Sequence, residues 1–341
     1  VTLYGANRGE VERKLQDLRR HLAAGLPVVD ERTTVADYLA GWLERVAPRL
    51  RPATRLRYAG LVNHQISPHL GHIRLAKLQP ADVAKMLADV QRQGLSPRTA
   101  AHCRAVLRAA LSDAERWGLV VRNVAKLTDP PKVPAPSPKM LPVEDVQRVL
   151  AAVNGTDVEN VVILALYSGM REGEVLGLRW ADVDQEAGQV TVSHAIQRLG
   201  RVSTLVEPKS ERSHRTLQLP GPALAALRDE RQRQLKRQLA AGARWAPSIP
   251  DLVFTDARGA PLIGTTVGRG FQRALRAAGL PTLRFHHLRH LHAGLMLGSG
   301  ADIATVSHLL GHSSVSLTVS TYAAIMPALK REAAERFERL L

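Results

Sequence analysis

Six of the fourteen residues from Asp129 to Pro142 are proline, at positions 130, 131, 134, 136, 138 and 142. Each proline fixes φ and removes a backbone donor, so neither a helix interior nor a central strand can run through this stretch. Residues 129–142 are predicted to be extended and semi-rigid, spanning up to about 40 Å at roughly 3.1 Å per residue. A chain of 341 residues cut there falls into two parts of ordinary domain size. The segment is read as a linker with a folded unit on either side.

Before the linker the apolar period is helical. Residues 9–24 place Val11, Leu15, Leu18 and Leu22 on one face, after a possible single strand from Val1 to Ala6. Residues 1–28 are thus expected to be either the remnant of a small domain whose earlier strands are missing or a helix packed on the adjoining unit. Residues 29–128 read as a four-helix unit. Val35, Leu39, Trp42, Leu43 and Val46 follow the capping candidates Thr33 and Thr34; Pro52 opens a helix carrying Leu56, Leu61 and Ile66. Val83, Met86, Leu87 and Val90 follow Pro80, and a fourth helix runs from Pro97 to Gly118. Cys103 lies on the apolar stripe of that last helix and is expected to be a buried small hydrophobe rather than a nucleophile. As the one cysteine of the chain, it excludes an internal disulfide framework and a multi-cysteine zinc site.

After the linker, helices are predicted over 144–153 and 158–167, with a stop at Ser168-Gly169 and a new helix opening at Arg171. The period then switches to two over 189–196, 202–206 and 214–219, which reads as a three-stranded antiparallel meander whose last turn is 207–213. Helices resume at 222–241, 265–278, 286–298, 302–310, 316–325 and 328–340, with a short strand from Leu252 to Thr255. The expected fold class is mainly α with a small antiparallel sheet (α+β).

Lys plus Arg is 47 against 31 Asp plus Glu, a formal net charge of +16. Residues 1–130 hold 21 cations and 12 anions, the rest 26 and 19, so both units are basic. Genome composition can explain why 38 of the cations are arginine, but not why cations exceed anions. Basic charge laced through amphipathic segments suits two folded units facing one polyanion, and nucleic acid is the leading candidate. An apolar fraction of 45% argues against disorder. The longest apolar run, near Val161 to Gly169, is far shorter than the roughly 20 residues of a membrane span, and there is no signal-peptide pattern. A soluble, cytoplasmic protein without membrane partners is expected.

Three local features go beyond a structural helix. Arg171 falls in a first helical turn, where a cation is disfavoured unless an anion binds, and Glu174 three residues on can hold its guanidinium. The run Phe285-His-His-Leu-Arg-His-Leu-His places His286 and Arg289 on one face; a metal would use His286 and His290, but Arg289 beside them repels a cation. Gly311 reads as the residue just past a helix end, which would aim His312, and Tyr322 follows ten residues later. A tyrosine is a poor nucleophile at neutral pH unless cations stabilise the charge it develops.

With Lys209 added, Arg171, Lys209, His286, Arg289, His312 and Tyr322 occur in steps of 38, 77, 3, 23 and 10 residues. The chain resembles the tyrosine recombinases, the lambda-type integrase family, through Tyr-Ser-Gly-Met-Arg-Glu-Gly-Glu (167–174), Glu-Pro-Lys-Ser (207–210), His-His-Leu-Arg-His (286–290), Leu-Leu-Gly-His-Ser-Ser (309–314) and Thr-Tyr-Ala (321–323). The resemblance implies a helical core-binding domain over 29–128, the linker, and a catalytic domain over 143–341 with a C-terminal helix, residues 1–28 being the end of an arm-binding domain. It implies Tyr322 as nucleophile, Arg171, Arg289 and His312 as stabilisers of phosphate charge, Lys209 as proton donor, His286 as proton acceptor or orienter, and Glu174 in support. No cofactor, metal or ATP is implied. The implied partner is double-stranded DNA at paired recombination sites, bound as a tetramer with accessory DNA-bending proteins, in the bacterial cytosol at the nucleoid. His287 departs from the pattern, since many relatives have Asp there. The alternatives are a catalytically silent DNA-binding regulator on the same fold and a histidine-rich metalloenzyme.

Overall fold

The computed structural model describes residues 6–9, 11, 12, 15, 16, 32–134, 143–207, 214–312, 314–322 and 338. The chain divides into two units, Val1–Ala135 and Pro136–Leu341, the division falling within the proline-rich stretch.

In the first unit, α1 (Val35–Val46) starts on Thr34, whose hydroxyl accepts from the Asp37 N–H at 3.2 Å while the Asp37 carboxylate accepts from Thr34. This reciprocal cap satisfies two donors that the first turn leaves without partners. Helix α2 (Pro52–Leu61) continues through a π-helical turn, Val62–Ile66, into α3 (Ser67–Leu70). Pro68 lacks an N–H and crowds the carbonyl four residues back, and the widened turn before it relieves both problems. Helices α4 (Pro80–Arg92) and α5 (Pro97–Arg116) complete the bundle. Trp42 donates its indole N–H to Asp113 at 2.7 Å and Tyr38 its hydroxyl to the Ala110 carbonyl at 2.6 Å, pinning α1 to α5. Cys103 is fully buried, and burial pushes its thiol up to about 11, so it stays protonated within the core. Of the residues expected on the apolar face, Ile66 is buried, together with Val62, whereas Leu56 is 56% exposed.

The second unit is built around α7 (Glu159–Ser168), apolar on nearly every side and packed against α9 (Gly221–Ala241) and α11 (His287–Gly298). Helix α6 (Val143–Val153) precedes it and the short α8 (Glu172–Leu176) follows. Helices α10 (Gly264–Ala277), α12 (Ile303–Leu310) and α13 (Val315–Tyr322) complete the described helices. The tail predicted as a helix over 328–340 lies outside the described residues, except for residue 338.

The strands do not form the predicted meander. The run over 189–196 breaks at Ser193-His194 into β2 (Gln189–Val192) and β3 (Ala195–Leu199). With β1 (Val183–Asp184) and β5 (Arg215–Gln218), β2 forms an antiparallel sheet in the order β1-β2-β5, Val190 facing Leu217. Among the described residues, strand β3 pairs with β4 (Val202–Val206) as a separate hairpin. The break has a local cause: the Ser193 hydroxyl donates to Asp182 at 2.7 Å, drawing the chain away from the ladder. The predicted last turn, 207–213, lies outside the described residues except for residue 207. Leu252 to Thr255 does not form a continuous strand: Leu252 makes an isolated antiparallel bridge with Arg179 and Thr255 one with Pro261. The Leu252 and Val253 carbonyls accept in addition from the Gln234 side-chain amide at 2.7 and 3.2 Å. Among the described residues, no helix is long and apolar enough to cross a membrane.

Candidate active site

Three arginines, remote from one another in sequence, donate to three successive carbonyls where α12 ends. Arg215 Nε reaches Leu309 O at 2.6 Å, Arg289 Nη2 reaches Leu310 O, and Arg171 Nη2 reaches Gly311 O at 2.9 Å. These carbonyls are the electron-rich end of a helix, which attracts cations. Gly311 makes the arrangement possible: with φ at 62° it takes the left-handed conformation that turns the chain and presents His312 beside the guanidiniums.

Arg289 also donates to Gly169 O at 2.8 Å, tying the end of α7 to the end of α12. Gly169 is likewise left-handed, and a Cβ there would lie 2.5 Å from the His292 ring, so both backbone and packing demand glycine. Buried His292 donates Nδ1–H to Leu166 O at 2.9 Å and is held neutral, its pKa pushed down to about 4 by burial. Arg289 is 3% exposed; burial, and after it the Arg171 charge, pull it down to about 9, still protonated at pH 7. Both effects disfavour its charge, and a bound anion would offset them.

Glu174 links two of the arginines. One carboxylate oxygen accepts from Arg171 Nη1 at 2.6 Å; the other accepts from Arg215 Nη2 and from the Arg171 backbone N–H, both at 2.9 Å. Arg171 is thus the cap of a five-residue helix with its amide already engaged, rather than a first-turn cation awaiting an anion. Burial alone would raise the Glu174 carboxyl, but Arg215 and Arg171 outweigh it and hold it below the usual carboxylate range. A carboxyl lowered on folding stabilises the fold above its unfolded pKa, about 4.3, and that contribution disappears as pH falls through the folded value. Glu174→Gln is expected to cost about 3–5 kcal/mol at neutral pH, the usual penalty for breaking a buried ion pair. Denaturant melts should show that deficit narrowing below about pH 4; a pH-independent deficit would assign it to packing.

The histidine run separates by role. His287 Nδ1 accepts from the Arg284 N–H at 3.3 Å, closing the turn before α11. His286 and His290 rings lie 5.0 Å apart, edge to face. His286 is shifted downward by loss of hydration and then by Arg289, His287 and Arg171. His312 Nδ1 lies 2.7 Å from the Thr318 hydroxyl; burial, then Arg289 and Arg171, push it down to about 4. When Nδ1 accepts from Thr318, Nε2 is left as a neutral N–H donor. Tyr322 is 1% exposed, packed with Ala293, Leu297, Val306 and Leu310, and its hydroxyl lies 2.9 Å from His290 Nδ1. Burial pushes Tyr322 up to about 12 against a smaller opposing pull from Arg289, so at pH 7 the phenol outweighs the phenolate by roughly 10^5.

The structure thus joins Arg171, Glu174, Arg289 and His312 through one turn, with His286 and Tyr322 linked to His290. Lys209 lies outside the described residues. Sequence reasoning gave no role to Arg215 or to His290 beyond its place as a metal alternative. The signal for Arg215 was present: in β5 it alternates onto the buried face with Leu217, a place where an arginine must be paired. Among the described residues, no group of three His, Cys, Asp or Glu is arranged to hold a metal ion.

The chain matches the sequence profile of the phage integrase family over residues 139–328 and that of the phage integrase N-terminal SAM-like domain over residues 34–90. It is 27% identical to a tyrosine recombinase XerC-like protein of Caldanaerobacter subterraneus subsp. tengcongensis, over 99% of this chain and 91% of that protein. An integrase of Streptomyces ambofaciens is 30% identical over 93% and 83%. Among solved structures, the Tn1549 transposon integrase in complex with transposon right end DNA matches with a TM-score of 0.75 at 21% identity, over 89% of this chain and 99% of that one. A lambda integrase tetramer bound to a Holliday junction matches with a TM-score of 0.63 at 20% identity, over 93% and 88%.

Proposed function

The chain belongs to the phage integrase family of tyrosine recombinases, and on that footing we propose that it cuts and rejoins DNA at specific sites through a 3′-phosphotyrosine on Tyr322, integrating and excising a phage or other mobile element. The observation that carries this reading is the convergence of Arg171, Arg289 and His312 on the turn Leu310-Gly311-His312. Attack on a phosphodiester gathers negative charge on the non-bridging oxygens, and two guanidiniums with an imidazole donor can stabilise it. Glu174 holds Arg171 in place, and Lys209 is assigned the proton for the leaving 5′-oxygen. The phosphotyrosyl bond keeps the energy of the phosphodiester, so a 5′-hydroxyl of a new partner can reverse the step without ATP. A silent DNA-binding regulator is disfavoured because it has no use for this cast of residues.

The Tn1549 integrase was solved with transposon DNA and the lambda integrase as a tetramer on a Holliday junction. By extension this chain acts on double-stranded DNA as a tetramer across paired sites, with accessory bending proteins, in the bacterial cytosol at the nucleoid. In the sequence, Leu329, Ala333, Phe337, Leu340 and Leu341 share one helical face, which suits docking on a neighbouring protomer. Truncation after Pro327 should keep single-site binding and remove cooperative assembly on paired sites in band-shift titrations; unchanged cooperativity would point to packing within the protomer.

The direct test is incubation with nicked half-site duplexes drawn from the DNA flanking the coding sequence. A detergent-stable protein–DNA adduct that forms with chelator present is expected. Binding without adduct on any such duplex would favour the silent regulator.

A further inference from the structure

We infer that His290 is the proton acceptor for the Tyr322 hydroxyl during cleavage, an assignment that rests on the recombinase reading above. The hydroxyl lies in an apolar nest, and its hydrogen-bond partner among the described residues is His290 Nδ1 at 2.9 Å, with the rings 5.9 Å apart. Arg289 and His290 are consecutive on α11, so their side chains leave the helix about 100° apart. Arg289 is turned to the carbonyls of Gly169 and Leu310, and His290 to Tyr322. One helical turn therefore serves both the phosphate charge and the attacking oxygen.

The surroundings explain why the pair is quiet at rest. His286 and His287 face the His290 ring at 5.0 and 6.3 Å, Arg289 adjoins it, and the charge of His290 is in turn felt by His312 in the α12–α13 turn. Burial and these neighbours push His290 down to about 4, so its ring is neutral with a lone pair available at pH 7. Against a phenol pushed up to about 12, the transfer is uphill. A bound phosphodiester offsets the charge of Arg289 and Arg171, which raises the proton affinity of His290 as the developing charge grows. His286 becomes the orienter of the His290 ring rather than the acceptor.

In the step itself the Tyr322 Oη–P bond forms as the P–O5′ bond breaks. The phenolic proton moves to His290 Nδ1, giving an imidazolium, and the leaving 5′-oxygen takes a proton from Lys209. Rejoining runs the same transfers backwards, with His290 returning its proton to the tyrosine.

The test uses the full chain and the nicked half-site duplexes, each made with oxygen or with sulfur at the bridging 5′ position. His290→Phe should slow adduct formation about a hundredfold on both substrates, since sulfur eases only the leaving group, with DNA binding and melting temperature retained. His290→Ala should regain rate with added imidazole, tracking its free-base fraction, a dependence that a packing role does not produce. Wild-type or faster cleavage by His290→Phe, or failure of imidazole to rescue His290→Ala, overturns the assignment. If His290→Phe misfolds, the imidazole arm decides. Absence of adduct with the wild-type chain instead overturns the recombinase reading itself, whereas adduct with Tyr322→Phe moves the nucleophile elsewhere and removes the role assigned to His290.

Discussion

Tyr322→Phe is expected to abolish the covalent protein–DNA adduct while leaving sequence-specific DNA binding intact. The substitution removes one oxygen, and that oxygen is the attacking atom. The ring stays in its pocket among Ala293, Leu297, Val306 and Leu310, so the packing that surrounds it survives. What is lost is the hydrogen bond to His290, worth about 1 kcal/mol net, too little to unfold the unit. Affinity for DNA comes mainly from cations on phosphates, which the change does not touch. Denaturing gels on nicked duplexes, with band shifts alongside, make the comparison. A Phe variant that still forms a detergent-stable complex would move the nucleophile elsewhere.

Much of the architecture was legible because it is local. Thr34, Pro52, Pro80 and Pro97 mark helix starts through backbone chemistry, and the apolar residues after each of them repeat with the helical period. Pairing of strands is not local, and there the reading failed. An alternating run over 189–196 carries no sign that Ser193 will bond Asp182 and split it, or that β2 will pass over its neighbour to join β5. Nor does Leu252-Val-Phe-Thr reveal that its pairing will be cut down to single bridges with Arg179 and Pro261, or that Gln234, on another element, will bond two of its carbonyls.

The candidate site divides along the same line. Each motif was visible as residue types at fixed steps, but what holds them in register is long-range. The Arg215–Glu174 pair spans 41 residues, the Arg171–Gly311 bond 140, and the Arg289–Gly169 bond 120. His290 could be seen as a histidine beside an arginine; its contact with Tyr322 exists only once the end of α13 is brought to α11.

The roles of the cations separate most sharply on a substrate whose bridging 5′-oxygen is sulfur. An alkoxide is a strong base whose parent acid has a pKa near that of water, about 16, so its departure without a proton donor is slow. A thiolate, with a parent pKa of about 8.5, leaves without help. If Lys209 supplies the proton, Lys209→Ala should cleave the oxygen substrate poorly and regain at least about tenfold on sulfur, equal to about 1.4 kcal/mol of barrier. Arg171→Ala and Arg289→Ala should each lose about 10^2–10^3 in rate and stay slow on both substrates, because the charge on the non-bridging oxygens is the same whichever atom leaves. Arg289→Ala should be the more severe, since it also leaves the Gly169 and Leu310 carbonyls without their buried donor. Equal, poor rates for Lys209→Ala on oxygen and sulfur would make Lys209 a phosphate clamp instead, and the leaving group's proton would then have to come from His312, His286 or water.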